Sequence, residues 1–178
     1  MPTTVELALL VFVLGCALGT AVLRDVLASV IAFAAYSLGV SIIWIVLQAP
    51  DVGLTEAAVG AGVMTILLLM ALANTSRPSE DRRFESISLR TAIVVLVFVA
   101  VMASTIPALP AIGGPDNPVV DGEVSQYYLD NAYDQTEVHN AVTAVLAGYR
   151  GLDTLGEAVV VFVAGVATLS VLRREDFA

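Results

Sequence analysis

The sequence predicts an all-α, polytopic membrane protein with about five transmembrane helices, its N-terminus outside and its C-terminus cytoplasmic. Three observations carry that prediction: more apolar surface than water tolerates, apolar runs of spanning length, and arginines gathered on alternate loops. Of the 178 residues, 58% are hydrophobic and 14% are charged, and mean hydropathy is +0.88. A soluble domain is about a quarter charged; so apolar a chain is covered only by lipid. Crossing roughly 30 Å of hydrocarbon takes about 20 apolar residues, and the chain supplies five such runs.

The first run is Val5–Leu23. Glu6, not a base, opens it, and no small-x-small cleavage site follows, so it reads as a retained span and not as a secretion signal. Arg24-Asp25 interrupts the apolar pattern, and two charges there favour a turn. The second span, Val26–Leu47, closes at Gln48-Ala49-Pro50-Asp51, because proline lacks an amide hydrogen and disfavours helix at the residue before it. Val52–Ala73 is the third span, completing a three-helix segment over residues 1–73. Residues 74–90 form a polar cytoplasmic loop, and the fourth span follows over 91–109. The Pro/Gly/Asp-rich stretch 110–137 reads as an acidic external loop. In the last segment, 138–178, Val138–Tyr149 is helix-compatible but too short to span, and Gly148 and Gly151 predict a break before Leu152. The fifth span, Leu155–Leu172, ends in Arg173-Arg174.

Short cytoplasmic loops collect positive charge. With the N-terminus outside, Arg24, Arg77, Arg82, Arg83, Arg90, Arg173 and Arg174 fall inside and Arg150 alone outside, seven against one. This topology places the chain as a multi-pass protein of the cell membrane. It also exposes Asp116, Asp121, Glu123, Asp130, Asp134 and Glu137 outside, as a solvated connector or a cation-attracting vestibule.

Composition excludes several functions. Net charge is −9 and all eight bases are arginine, with no basic patch for nucleic acid. A single cysteine, Cys16, and a single histidine make neither an internal disulfide nor a conventional metal site. No cofactor, no metal and no enzymatic activity are expected. No internal repeat is visible, so an inverted-repeat transporter complete in itself is not expected.

The residues able to carry chemistry are acids placed in or near the spans. Glu56 lies five residues after Asp51, which places it roughly 7 Å deeper along the helix. A carboxylate at that depth is costly and by default marks an ion or proton path; the alternative is an acid snorkelling to the interface. Gly60 shares its helix face, and Gly62 follows. The two glycines weaken the helical ladder, which permits a π-bulge or kink, or else simply close packing of small residues. Later, Asp153 and Glu157 stand four apart on one face, three residues beyond Arg150. Asp153 suits a helix cap, and Glu157 suits a buried polar contact or a proton station. His139 fits an interfacial packing role or a proton relay.

These motifs resemble a known family. Ala49-Pro-Asp-Val-Gly-Leu-Thr-Glu-Ala-Ala-Val-Gly-Ala-Gly62, preceded by Arg24-Asp-Val-Leu-Ala-Ser-Val30, resembles a small membrane subunit of Mrp-type cation/proton antiporters and of related membrane-bound hydrogenases. Tyr149-Arg-Gly-Leu-Asp-Thr-Leu-Gly-Glu157 is similar to the segment that follows it in those complexes. In many Mrp systems both lie in the C-terminal tail of the largest subunit. Ala58-Val-Gly-Ala-Gly-Val-Met64 is more distantly similar to a respiratory complex I helix that carries a π-bulge. The resemblance implies a subunit of a multisubunit Na⁺(or K⁺)/H⁺ antiporter, partnered by other membrane subunits of that complex and by the lipid bilayer. It implies a proton or cation path through Glu56 and Glu157, which align with the acidic positions of the family's motifs; the residues themselves add His139 and Asp153 as candidates for the same path. The rivals are a membrane-arm subunit of a redox-driven pump or hydrogenase, a non-conducting assembly scaffold, and a stand-alone small transporter. The buried lysine of the large antiporter body has no counterpart in this lysine-free chain.

Overall fold

The structure is a computed structural model describing residues 3–75, 84, 86–111, 114 and 116–172, with side chains to residue 170. It is all-helical among the described residues, and five helices are long and apolar enough to cross a membrane: Thr4–Val22, Val26–Val46, Pro50–Ala73, Leu89–Ala108 and Gly151–Ser170. The chain divides into two compact units, Met1–Val101 and Met102–Ala178.

In the first unit, α1 (Thr4–Val22) begins at a capping box: Thr3 Oγ1 accepts from the Glu6 amide and Glu6 accepts from the Thr3 amide. Glu6 therefore satisfies orphan donors of the first turn. At α2 (Val26–Val46), Asp25 is the N-cap and accepts from the Ala28 amide, so the Arg24-Asp25 interruption is a cap between spans. The third span is α3 (Pro50–Glu56), a π-helical stretch over Ala57–Met64, and α4 (Thr65–Ala73). It packs along α2, which also packs on α1.

The joint between α2 and α3 is made by local chemistry. The Ala49 amide donates to Trp44 O and the Gln48 amide to Ile45 O, the crossed pair of a Schellman ending. Gln48 occupies its left-handed position at φ 63°, and Pro50 starts α3. A side chain in the left-handed region carries a penalty that glycine escapes. Gln48→Gly is therefore expected to stabilise the folded chain by about 1 kcal/mol, read as a rise in thermal midpoint in detergent; an unchanged or lowered midpoint contradicts this account.

Two glycines set how closely the helices approach. A Cβ on Gly39 of α2 would lie 2.7 Å from Val13 Cγ2 of α1. A Cβ on Gly53 of α3 would lie 2.8 Å from Ile45 Cγ1 and 2.9 Å from the Ser41 carbonyl of α2. Ser37 and Ser41 share one face of α2, and Gly39, two residues from each, lies on the other. The helix is thus small on the α1 side and polar toward the third span. The buried side chains of this unit are correspondingly small, Val13, Val30, Ser37 and Ser41, while most large aliphatic residues face outward. Interfaces of small residues with apolar exteriors are what lipid-exposed helices use.

The helix α5 (Leu89–Thr105) ends in a 3₁₀ turn over Ile106–Ala108. None of its spanning window is buried. The stretch read from the sequence as an acidic loop is in part helical: α6 (Pro118–Asp121) and α7 (Glu123–Thr136) lie within it. Pro118 pre-sets the first helical turn, and Gly122 hinges the two helices where a Cβ would strike the Pro118 carbonyl. The acidic composition hid α7 because its acids are outward while Ala132 is buried.

After α7, Glu137 adopts a left-handed conformation at φ 58° and the chain turns into α8 (Ala141–Thr143), capped by Asn140 Oδ1 accepting from the Thr143 amide. A second π-helical stretch, Ala144–Tyr149, follows directly. The helix breaks at Arg150, and α9 (Gly151–Leu172) then runs to the end of the described residues. It begins four residues before the run predicted from hydropathy, since Gly151–Thr154 are helical although Asp153 and Thr154 are polar.

Candidate functional site: a carboxylate in the third span

Glu56 is the last residue of α3, at the point where the helix passes into the π stretch. It is half-buried. The Ser37 hydroxyl of α2 donates to Glu56 Oε1 at 2.6 Å and lies 3.3 Å from the Glu56 carbonyl oxygen. A hydroxyl–carboxylate bond of that length is in the charge-assisted range. Ser37 is fully buried, so its hydroxyl needs a partner within the protein, and Glu56 supplies it. One turn along α2, Ser41 donates to the Gly53 carbonyl at 2.6 Å. Two serines thus fasten α2 to α3, one through backbone and one through the acid.

Gly60, four residues after Glu56, is what allows the arrangement. A Cβ there would fall onto Ser37 Oγ and lie 2.8 Å from Glu56 Oε1. Gly62 shows no such crowding; its nearest neighbour would be the Ala57 carbonyl at 3.5 Å. Both glycines lie within the π-helical Ala57–Met64. A π turn spaces the ladder at i→i+5, and Thr65 Oγ1 donates to the Gly60 carbonyl at 3.1 Å, also five residues back. A side-chain hydroxyl therefore completes the ladder where glycine loosens it.

The other candidates lie in the second unit. Asp153 pairs with Arg150 Nε at 2.6 Å, but both side chains are about two-thirds exposed, at 65% and 63%. Such a surface pair contributes little. Thr154 Oγ1 reaches back to the Leu146 carbonyl at 2.8 Å and ties α9 to the π stretch before it. Glu157 stands on the exposed surface of α9. His139 is exposed and stacks on Tyr133, with ring centroids 4.4 Å apart. Separately, Tyr127, Tyr128 and Tyr149 cluster ring to ring, and two of them hold Gln135: Tyr149 donates to Gln135 Oε1 at 2.6 Å and Tyr127 accepts from Gln135 Nε2 at 3.1 Å. Desolvation, and then the neighbouring Tyr127 and Tyr128, raise the Tyr149 hydroxyl above its ordinary value, so it remains a donor across the physiological range.

Ser37, Ser41 and Gly53 were not among the residues singled out from sequence. The signal was present. Two hydroxyls four apart in an otherwise apolar span must each find an acceptor on one shared side. What sequence lacked was the identity of the facing helix. Among the described residues no group of three or more metal-ligating side chains converges.

Comparison with known proteins decides the family. The MbhD model, which describes one subunit of MBH, matches residues 11–77, and the MbhE model, which describes another, matches residues 88–177. The chain belongs to the MbhE family, whose model covers half of it, and its N-terminal part is similar to MbhD. It carries both segments in one polypeptide, the MbhD segment holding Glu56 and the MbhE segment holding His139, Asp153 and Glu157. Related proteins include Na⁺/H⁺ antiporter subunit A1 of Staphylococcus haemolyticus, 30% identical over 96% of this chain and 20% of that protein. The A1 subunit of Staphylococcus aureus strain JH9 is 28% identical over 94% of the chain and 20% of its own length. Antiporter subunit mnhA2 of Staphylococcus saprophyticus is 31% identical over 98% of the chain and 21% of its length. The chain therefore spans about a fifth of the length of these curated relatives. The Mrp-type resemblance drawn from the APDVGLTE and YRGLDTLGE motifs is borne out.

Proposed function

We propose that this MbhD/MbhE chain is a membrane subunit of a multisubunit Na⁺(or K⁺)/H⁺ antiporter in the cell membrane, where it lends the complex a polar path for protons or cations. The observation that carries the reading is the Ser37–Glu56 contact, an acid held by a buried hydroxyl between apolar helices. Intramembrane acids facing a helix interface are by default ion or proton stations. The names of the staphylococcal relatives, as Na⁺/H⁺ antiporter subunits, support the coupling ions.

In this reading Glu56 is the carrier and Glu157 a second station, with Asp153 and His139 as further members of the path. Glu157 lies on an exposed face of α9, which in the assembled complex is covered by another subunit. The N-terminus lies outside and the C-terminus in the cytoplasm, by the arginine bias. Of the bases that set this bias, Arg77, Arg82, Arg83, Arg173 and Arg174 fall outside the described residues. The partners are the remaining membrane subunits of the complex.

The MBH family models favour one second reading, a membrane arm coupled to a redox-driven pump or hydrogenase. One experiment separates the two. The tagged chain is purified from its native membrane with its partners and reconstituted in vesicles. Antiporter membership predicts co-purification of a large antiporter subunit and cation-dependent proton movement without an electron donor. Iron–sulfur or nickel–iron subunits in the preparation, with proton movement only on adding a donor, would overturn it.

A further inference from the structure

We propose that Ser37 is the positioning residue of Glu56: its hydroxyl holds the carboxyl against α2 whether or not the acid carries a proton, in the room that Gly60 leaves open. This rests on the reading of Glu56 as a carrier and adds how the acid is held.

The geometry gives the hydroxyl two acceptors on one residue. Ser37 Oγ lies 2.6 Å from Glu56 Oε1 and 3.3 Å from the Glu56 carbonyl oxygen. A serine hydroxyl has one hydrogen and two lone pairs, and it rotates freely about its C–O bond. When Glu56 is ionised, the hydrogen points to Oε1. When Glu56 is protonated, the new O–H donates to Ser37 Oγ, and the serine hydrogen turns to the Glu56 carbonyl. Neither state leaves a buried hydroxyl unpaired, so the carboxyl does not need to swing away when its charge changes. The rotation takes no bond apart beyond hydrogen bonds. The proton itself enters and leaves on Glu56, and serine only follows.

Two features limit what else could do this. The elements packed against α3, which carries the acid, are α2 and the π stretch, and they offer only Tyr36 as a further titratable group. The helix segment of Glu56 itself adds Asp51 one turn and more away. No basic side chain lies on these elements, so a hydroxyl is the strongest donor they bring to the acid. Gly60 is the second feature, since any Cβ there displaces the serine hydroxyl. The pair Ser37/Gly60 is thus one device on two helices.

The test is infrared difference spectroscopy on the full chain reconstituted in lipid, recorded with Glu56 protonated and with Glu56 ionised. Its bands are assigned by their loss in Glu56→Gln. Ser37→Ala removes the hydrogen-bond partner of both states, so the carboxylic C=O stretch and the carboxylate stretch are both expected to shift from their parent positions, with helix content unchanged. Gly60→Ala, which leaves the serine in place but pushes its hydroxyl aside, is expected to shift both bands in the same direction. Either band at its parent position in Ser37→Ala overturns the proposal, and if that variant does not fold, Gly60→Ala decides by the same criterion. The readout is independent of transport. Should the Glu56→Gln complex exchange ions normally, the carrier reading falls, while the positioning of the carboxyl by Ser37 is still decided by the two bands.

Discussion

Glu56→Gln is expected to reduce cation/proton exchange by the assembled complex by about a hundredfold or more, while the chain still folds and assembles. The substitution separates protonation from structure unusually well. Gln retains the length of Glu, and its amide oxygen still accepts from Ser37, which donates at 2.6 Å in the parent. The hydroxyl, which is fully buried, therefore keeps its partner and no desolvation cost appears. Only the ability to bind and release a proton is lost. An acid whose protonation is part of the cycle has no neutral substitute, so the loss falls on turnover and not on stability; an acid that only fastens two helices gives the opposite pattern. Glu56→Asp sharpens the distinction, because the shorter side chain withdraws the carboxylate from Ser37 while leaving it titratable. It is expected to retain part of the exchange with an altered pH profile. The measurement is acridine-dye quenching in vesicles at several pH values, set against the amount of complex recovered. Exchange at the parent rate in Glu56→Gln, with the complex intact, removes Glu56 from the path.

Gly53→Val is expected to have the largest structural effect, with a loss of about 1–3 kcal/mol or more and failure of assembly. Gly53 is buried, and a Cβ there would stand 2.9 Å from the Ser41 carbonyl and 2.8 Å from Ile45 Cγ1. A side chain tip can yield, but a carbonyl within a helix moves only if the helix moves. Forcing α2 and α3 apart also breaks the bond from Ser41 to the Gly53 carbonyl, stranding a buried hydroxyl and a buried carbonyl. Glu56 lies three residues further along the same helix, so its approach to Ser37 is lost as well. Thermal unfolding of the purified chain in detergent, with Gly53→Ala as the milder step, gives the scale. A Gly53→Val midpoint equal to the parent's is incompatible with this close approach. Gly62→Ala is a contrasting control, since its Cβ would meet its nearest neighbour at ordinary contact distance, 3.5 Å.

The helices themselves were legible from the chain because hydropathy and length are local. Apolar runs predicted spans over Val26–Leu47 and Thr91–Leu109, and the helices run over Val26–Val46 and Leu89–Ala108. Proline, asparagine and charged residues near the ends act through the backbone of their own turn, so the Pro50 boundary was also readable to within two residues. Segment 110–137 was less legible. Its acids and prolines give no membrane signal, and α7 depends on burying Ala132 and on the tyrosines gathered about Gln135, which are contacts with a later part of the chain.

By itself the sequence determined where the chain is apolar over membrane-spanning lengths, that five described helices are long and apolar enough to cross, and that one of them carries Glu56 with glycines one turn beyond. Those properties follow from residue type and spacing along a single helix. Only the tertiary structure decided that Ser37 meets Glu56, that Ser41 meets Gly53, and that Gly60 rather than Gly62 makes room for the acid. The physical reason is rotation about the helix axis. An apolar span has no strong preference for which face it turns to a neighbour, because lipid and protein are nearly alike to its aliphatic side chains. The choice falls to the few positions where helices can approach closely, and in α2 these are Gly39 toward α1 and the two serines toward the third span.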